Sequence, residues 1–421
     1  MFKKTILKNG LRIITLPMKN TRTLTLLVLV GTGSKNETKK QNGISHLLEH
    51  MAFKGTKKRP HTRDIARELD RVGGVFNAFT GKEMTGFWIK VDATHFNLAC
   101  DVLSDMIFNS LFQKAEIDRE KRVIFEEINM MKDQPAGYVL ELWEKLLYGD
   151  QPAGWPIAGR KKILEKITRR DILDYLRNQF VAENVVISLA GNFNEKVAIS
   201  KIKKFFYKFK TTPPLKKEPV LERQKAPRVL IDFKNTDQTH LVLGVRAFDF
   251  FSAKKYPLSV MGVLLGGIMS SRLFIRVREK KGLAYYIKSS PQFYTDSGYF
   301  LTHAGVNTRK TLEAIKIILR EYKKLKTKKV PKSELKKAKD NIKGKIYLSL
   351  ETSDAWTTYL GSQEILKKKI LTPEQQIKLI DKVSQNDILK LAREIFVPEK
   401  LNLALIGPFK KKKKFEEILK I

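Results

Sequence analysis

The sequence has almost no cysteine. Cys100 is the single thiol in 421 residues, which excludes a disulfide framework and any cysteine-built metal centre within one chain. Low cysteine use also fits a reducing compartment. Long apolar runs are missing as well. The stretch Leu24 to Val30 has the length of a buried strand, well short of the ~18–20 apolar residues that a membrane span requires. The N-terminus, Met-Phe-Lys-Lys-Thr-Ile-Leu-Lys-Asn-Gly, is basic but has no apolar segment of the kind that directs export. On these absences we expect a cytoplasmic protein with no membrane span.

Acidic residues are in deficit: 44 Asp and Glu against 81 Lys and Arg leave a formal charge of +37. An excess of that size raises nucleic acid as a partner. The lysines, however, are spread along the chain, as in Lys161-Lys162, Lys323-Lys324, Lys367 to Lys369 and Lys410 to Lys414. No base-stacking module accompanies them. We expect no nucleic-acid partner, and a lysine-rich surface on an ordinary globular protein.

Apolar residues are in normal supply, at 42% of the total. The length suits two domains of about 200 residues each. The chain repeats itself. Asp171-Ile-Leu-Asp-Tyr-Leu-Arg-Asn-Gln-Phe180-Val-Ala-Glu-Asn-Val-Val-Ile-Ser-Leu-Ala-Gly191-Asn-Phe193 is echoed by Asp387-Ile-Leu-Lys-Leu-Ala-Arg-Glu-Ile-Phe396-Val-Pro-Glu-Lys-Leu-Asn-Leu-Ala-Leu-Ile-Gly407-Pro-Phe409. Each residue of the second copy lies 216 positions after its counterpart, from Asp171 and Asp387 to Phe193 and Phe409. Each copy reads as a helix, a break, and a buried strand ending at a Gly turn.

The fold class expected is therefore α+β, two duplicated domains, each a mainly antiparallel sheet packed with helices. Expected strands include Leu24 to Val30, Val185 to Ala190, Leu241 to Val245 and Leu401 to Ile406. Expected helices include Thr94 to Ser110, Lys114 to Lys132, Arg309 to Leu325 and Ser333 to Leu348. The proline-rich stretch from Thr211 cannot continue a helix. It sets domains at 1–210 and 228–421 with a linker at 211–227.

Histidines are scarce, six in all, yet two of them stand close together in His46-Leu-Leu-Glu49-His50. On a helix His46, Glu49 and His50 fall within an arc of about 100°, while Leu47 and Leu48 point the other way and pack the helix down. Two imidazoles one turn apart reach a single cation, and a carboxylate beside them reaches a water on it. This is the inverted order of the His-Glu-x-x-His zinc motif. Catalytic zinc takes a third protein ligand. The expected helix Lys114 to Lys132 offers Glu120 and Glu127 on one stripe, seven residues apart, and spacing alone does not choose between them. The other histidines, His61, His95, His240 and His303, have no partner at ligand spacing.

Here the sequence resembles the insulysin, pitrilysin and mitochondrial processing peptidase group. In that family the inverted motif is followed by 76 residues and then the glutamate ligand, which from His50 arrives at Glu127 in Arg122-Val-Ile-Phe-Glu-Glu-Ile128. Also matching are His46-Leu-Leu-Glu-His-Met-Ala-Phe-Lys-Gly-Thr56 and Gly73-Gly-Val-Phe-Asn77-Ala78-Phe-Thr80. The resemblance covers nearly the whole chain. It implies a zinc metalloendopeptidase of the processing-peptidase-like branch, with one Zn2+ per chain on His46, His50 and Glu127. Glu49 would be the general base and Glu120 would support the site.

The same resemblance implies that Arg278 and Tyr285 hold substrate. Asn77 and Ala78 would lie on an edge strand to which peptide adds as a further strand. It also implies a homodimer that closes a clamshell chamber around peptides or unfolded segments. A heterodimer with a metal-free relative, or a non-catalytic subunit of the same fold, is the alternative. Residues 262–266, 216 positions after the motif, are Gly-Val-Leu-Leu-Gly; the second domain has no metal site.

Overall fold

The computed structural model describes residues 2–421. Its framework is two sheets. The first is built from β1 (Lys3–Ile6), β2 (Arg12–Pro17), β3 (Thr23–Val30), β4 (Val75–Thr80), β5 (Thr85–Asp92) and β6 (Val185–Gly191), in the order β1-β2-β6-β3-β5-β4. The second is built from β7 (Arg228–Phe233), β8 (Gln238–Arg246), β9 (Ala284–Phe293), β10 (Gly298–Asn307) and β11 (Leu401–Gly407), in the order β7-β11-β8-β10-β9. Strands β6 and β11 are buried along their whole length. They read as continuous apolar runs instead of alternating, because both faces are covered.

Without β1, the two orders correspond strand for strand, and the pairings agree as well. Only β2 with β6 and β7 with β11 run parallel; the rest are antiparallel. The sequence repeat accounts for this. In the helix Arg169–Gln179 the N-cap Thr168 donates to Asp171 Oδ2 from its hydroxyl at 2.6 Å and its N–H at 2.8 Å. In the helix Gln385–Ile395 Ser384 and Asp387 make the same box at 2.8 Å for both bonds. A reciprocal box satisfies orphan donors at a helix start and fixes where the helix begins. The four expected strands and four expected helices are present, with ends moved by at most three residues.

By contacts the described chain falls into two units that do not follow the chain linearly. The first comprises residues up to Ile128, Trp155–Glu218 and Leu348–Ile370; the second comprises Asn129–Gly154, Pro219–Tyr347 and Leu371–Ile421. The expected 1–210 and 228–421 division is thus crossed by two helices, Pro135–Tyr148 and Ser353–Lys367, each packed with the sheet of the other half. The stretch 211–227 has neither helix nor strand, as its prolines require.

Packing explains the exchange. Each sheet has two apolar faces, and the helices of its own half cover one. In the first unit the other face gathers Ile14, Leu27, Leu29 and Val186, and Leu360 of the Ser353–Lys367 helix completes that cluster. Gly361 lets the helix lie close, since a Cβ there would stand 2.5 Å from Leu29 Cδ1. Buried Glu364 on the same helix takes Lys4 at 2.7 Å and Arg12 at 3.2 Å. In the second unit the Pro135–Tyr148 helix sets Val139, Leu142, Trp143 and Leu147 against Val242, Leu301, Ala404 and Ile406. Its Glu144 accepts from the Tyr294 and Tyr299 hydroxyls at 2.5 and 3.1 Å. Each buried aliphatic contributes roughly 1.5–3 kcal/mol.

Candidate metal centre

The His-x-x-Glu-His segment forms the helix Ile44–Met51. Ile44, Leu47, Leu48 and Met51 are buried in the first core, leaving His46, Glu49 and His50 on the partly open side. The helix starts at Gly43, whose φ of +99° suits glycine. A side chain there would also collide, with Leu164 Cδ2 at 2.8 Å and Gly159 Cα at 2.9 Å.

A buried carboxylate, Glu37, caps this start. It accepts from Gly43 N–H at 2.8 Å, Ser45 N–H at 2.9 Å and Asn42 Nδ2 at 3.0 Å. Ser45 is held in turn by the Tyr175 hydroxyl at 2.8 Å, which also meets Thr32 Oγ1 at 2.9 Å. Burial pushes the Glu37 carboxyl up to about 7 against the lowering pull of those bonds.

The helix Lys114–Asp133 carries both candidate glutamates and brings them to the two histidines. Glu127 faces both imidazoles: Oε2 is 3.7 Å from His46 Nε2 and Oε1 is 3.6 Å from His50 Nε2. One ligand atom from each of the three residues lies within 4.8 Å of the others. Ligands ~2.0–2.1 Å from a tetrahedral zinc stand roughly 3.3–3.5 Å apart, so this set fits the ion. Among the described residues it is the one cluster of three metal-binding side chains.

Glu120 is placed differently. It is buried, with Oε2 3.1 Å from His50 Nδ1 and Oε1 2.9 Å from Lys54 Nζ. It therefore grips the far side of a ring whose Nε2 faces Glu127, the arrangement that fixes an imidazole's tautomer and direction. His46 has no such partner, and its buried Nδ1 is unpaired among the described residues.

Electrostatics follow from the packing. Burial, with His50 close by, depresses His46 to about 4. Burial also pushes Glu49 above the usual carboxylate range, against a 2.5 Å hydrogen bond donated by Thr80 Oγ1. Glu120 feels the same burial, yet the bonds from His50 and Lys54 outweigh it and hold the carboxyl below its ordinary value. The result is a neutral imidazole at His46 and a His50 ring whose proton affinity is raised, because the Glu120 bond and the nearby carboxylates outweigh its burial. One carboxylate faces both rings, and one with a raised proton affinity stands beside them.

The remaining expected residues fall in two places. Asn77 and Ala78 are on β4, the last strand of the first sheet, where Asn77 Oδ1 accepts from Ala78 N–H at 2.8 Å. Arg278 and Tyr285 belong to the second unit. Arg278 lies 4.9 Å from the Phe274 ring and 5.7 Å from the Tyr285 ring, and Tyr285 is 73% exposed. Thr80, Glu37, Lys54 and Tyr175 carry no spacing signal and emerge only from the folded arrangement.

Two family models match the chain: insulinase (peptidase family M16) over residues 12–161, and the peptidase M16 inactive domain over 166–342. The "uncharacterized zinc protease" YmxG of Bacillus subtilis is 37% identical, across 97% of this chain and 98% of its own length. One of the same description from Streptomyces coelicolor is 32% identical, across 97% and 90%. Among solved structures, a protease from Helicobacter pylori superposes with a TM-score of 0.90 at 24% identity, across 97% and 99%. A chain described as the peptidase M16 inactive domain, from Pseudomonas fluorescens, does so at 0.89 and 19%, across 97% and 98%.

Proposed function

The chain belongs to the insulinase family of peptidases, family M16, and on that premise we propose that it is a zinc-dependent endopeptidase acting on peptides and unfolded segments. The observation that carries this reading is the meeting of His46, His50 and Glu127 from two helices, with Glu49 beside them. His46, His50 and Glu127 would hold one zinc per chain. Zinc, when bound there, supplies Lewis acidity toward the scissile carbonyl and toward water.

The chain's own groups do the rest. Glu49, with its raised proton affinity, takes a proton from water and delivers it to the leaving amine. Thr80 keeps the Glu49 carboxylate aimed by its hydrogen bond. Glu120 holds His50 in the tautomer that leaves Nε2 unprotonated, and Lys54 holds Glu120. The edge position of β4 suits backbone pairing with an extended substrate at Asn77 and Ala78, which binds peptide with little side-chain selectivity. The exposed pair Arg278 and Tyr285 is offered for substrate contact in a homodimer, which velocity sedimentation would test.

The experiment is metal analysis together with cleavage of a quenched peptide library by wild type and Glu49→Gln. One zinc per wild-type chain, cleavage by wild type, and a variant that keeps zinc but loses turnover would support the assignment. A zinc-loaded wild type that cuts no peptide would refute the peptidase reading.

A further inference from the structure

Residues just past the metal helix line two adjoining clefts in the first unit. One, of about 260 Å³, is apolar and lined by Phe53, Ile65, Ala66 and Phe76, with Thr62 and Asn77. The other, of about 290 Å³, is lined by Lys54, His61, Arg63, Glu116 and Arg119, again with Thr62. The two meet at Thr62. Phe53 and Lys54 are consecutive, and they follow His50 by three and four residues. The apolar cleft also takes in Phe76 and Asn77 of the edge strand β4.

The second cleft is positively charged: Lys54, Arg63 and Arg119 stand against Glu116. Lys54 is tied to Glu120 at 2.9 Å and Arg119 to Glu116 at 2.6 Å. The side chain of Arg63 is 75% exposed and lies 4.0 Å from the Asp64 carboxylate. Glu116 is one turn before Glu120 on the Lys114–Asp133 helix, so the cleft continues the line from the metal centre along that helix.

Resting on the reading of this chain as a peptidase, we propose that this basic cleft is a subsite for an acidic side chain of the bound peptide, neighbouring an apolar side chain in the adjoining cleft. An extended peptide sends residues i and i+2 to the same side about 7 Å apart, so one substrate strand fills both clefts with residues two positions apart. Arg63 and Arg119 supply the attraction, while Lys54 stays paired with Glu120. A basic side chain at that position meets like charges and is disfavoured, which selects between peptides by repulsion as well as attraction.

The test reads binding. Zinc-loaded Glu49→Gln protein is titrated against fluorescent neutral peptides carrying one Glu moved along the sequence, each matched by a Gln peptide, with anisotropy as the signal. Two partly exposed ion pairs together give about a tenfold preference for Glu at one register in low salt, shrinking in high salt. Adding Arg63→Gln and Arg119→Gln, both at exposed side chains whose loss circular dichroism can show to leave the fold intact, removes the preference and leaves affinity for the Gln peptide unchanged. Equal binding of Glu and Gln peptides at every register, a preference surviving in the double variant, or no binding of any peptide overturns the proposal. Failure of wild type to cleave a peptide that binds with this preference would instead sink the peptidase reading and leave the subsite standing.

Discussion

Replacing Glu120 and Glu127 separately by glutamine distinguishes the carboxylate that orients from the one that ligates. Glu120 is 3% exposed and uses its two oxygens for different partners, Oε2 for His50 Nδ1 and Oε1 for Lys54 Nζ. A glutamine has one oxygen to offer. Whichever way the amide turns, its NH2 faces a donor, and either His50 or Lys54 loses its acceptor. If His50 loses it, the ring is free to rotate or to place its proton on Nε2. A lost charge-assisted hydrogen bond costs about 1.5–3 kcal/mol. At 1.4 kcal/mol per factor of ten, zinc should bind roughly 10- to 150-fold more weakly. Glu127→Gln removes the charge that faces both imidazoles at 3.6 and 3.7 Å, and should lose zinc altogether at the same chelator concentration. The assay is competition with a chromophoric zinc chelator, with circular dichroism as the fold control. If Glu120→Gln binds zinc as tightly as wild type, or loses it as completely as Glu127→Gln, the orienting role is wrong.

Thr80→Val removes a donor that lowers the proton affinity of Glu49. The carboxyl then rises further, and because a base acts only when deprotonated, the acidic limb of the kcat/KM profile should move to higher pH; an unmoved limb counts against Glu49 as base. Gly43→Ala forces a side chain into φ +99° and against Leu164 and Gly159, strain and overpacking that together cost about 2–5 kcal/mol. Urea unfolding of the first unit and zinc affinity should both weaken. Leu360→Ala leaves a void against Leu29 and Val186 and should cost about 2–5 kcal/mol, read as earlier unfolding of the unit that holds β3 although the residue belongs to the second half of the chain. Removing zinc with a chelator should abolish cleavage, and added zinc should restore it; cleavage that persists would place the chemistry elsewhere.

Much of the fold was legible because local rules and the repeat agreed. The capping residues Thr168 and Asp171, and Ser384 and Asp387, mark helix starts that any reading of caps would find. The apolar run Leu24 to Val30 is a strand because β3 lies inside its sheet, between β5 and β6. The edges were harder. Val75–Thr80 is half-exposed and mixed in character, so β4 was visible only through its likeness to a known edge strand. Nothing in the periodicity of Pro135–Tyr148 and Ser353–Lys367 says which sheet each of these helices covers.

In the site, periodicity put His46, Glu49 and His50 on one face of a helix and left Glu120 and Glu127 equivalent. The difference between the two glutamates lies in what each faces: two turns apart along one stripe, Glu127 opposes the Nε2 atoms while Glu120 reaches the rear of His50. Thr80, Lys54 and Glu37 were silent because their roles depend on partners 31, 66 and 8 residues away.

By itself the sequence determined the duplication, the inverted metal motif and the third-ligand candidates, because these are patterns of spacing along one chain. Only the tertiary structure decided which helix covers which sheet, which glutamate opposes both imidazoles, and what holds the metal helix in place. Those outcomes depend on the second apolar face of each sheet and on buried polar groups finding acceptors, and both are settled by packing between segments that are remote in sequence.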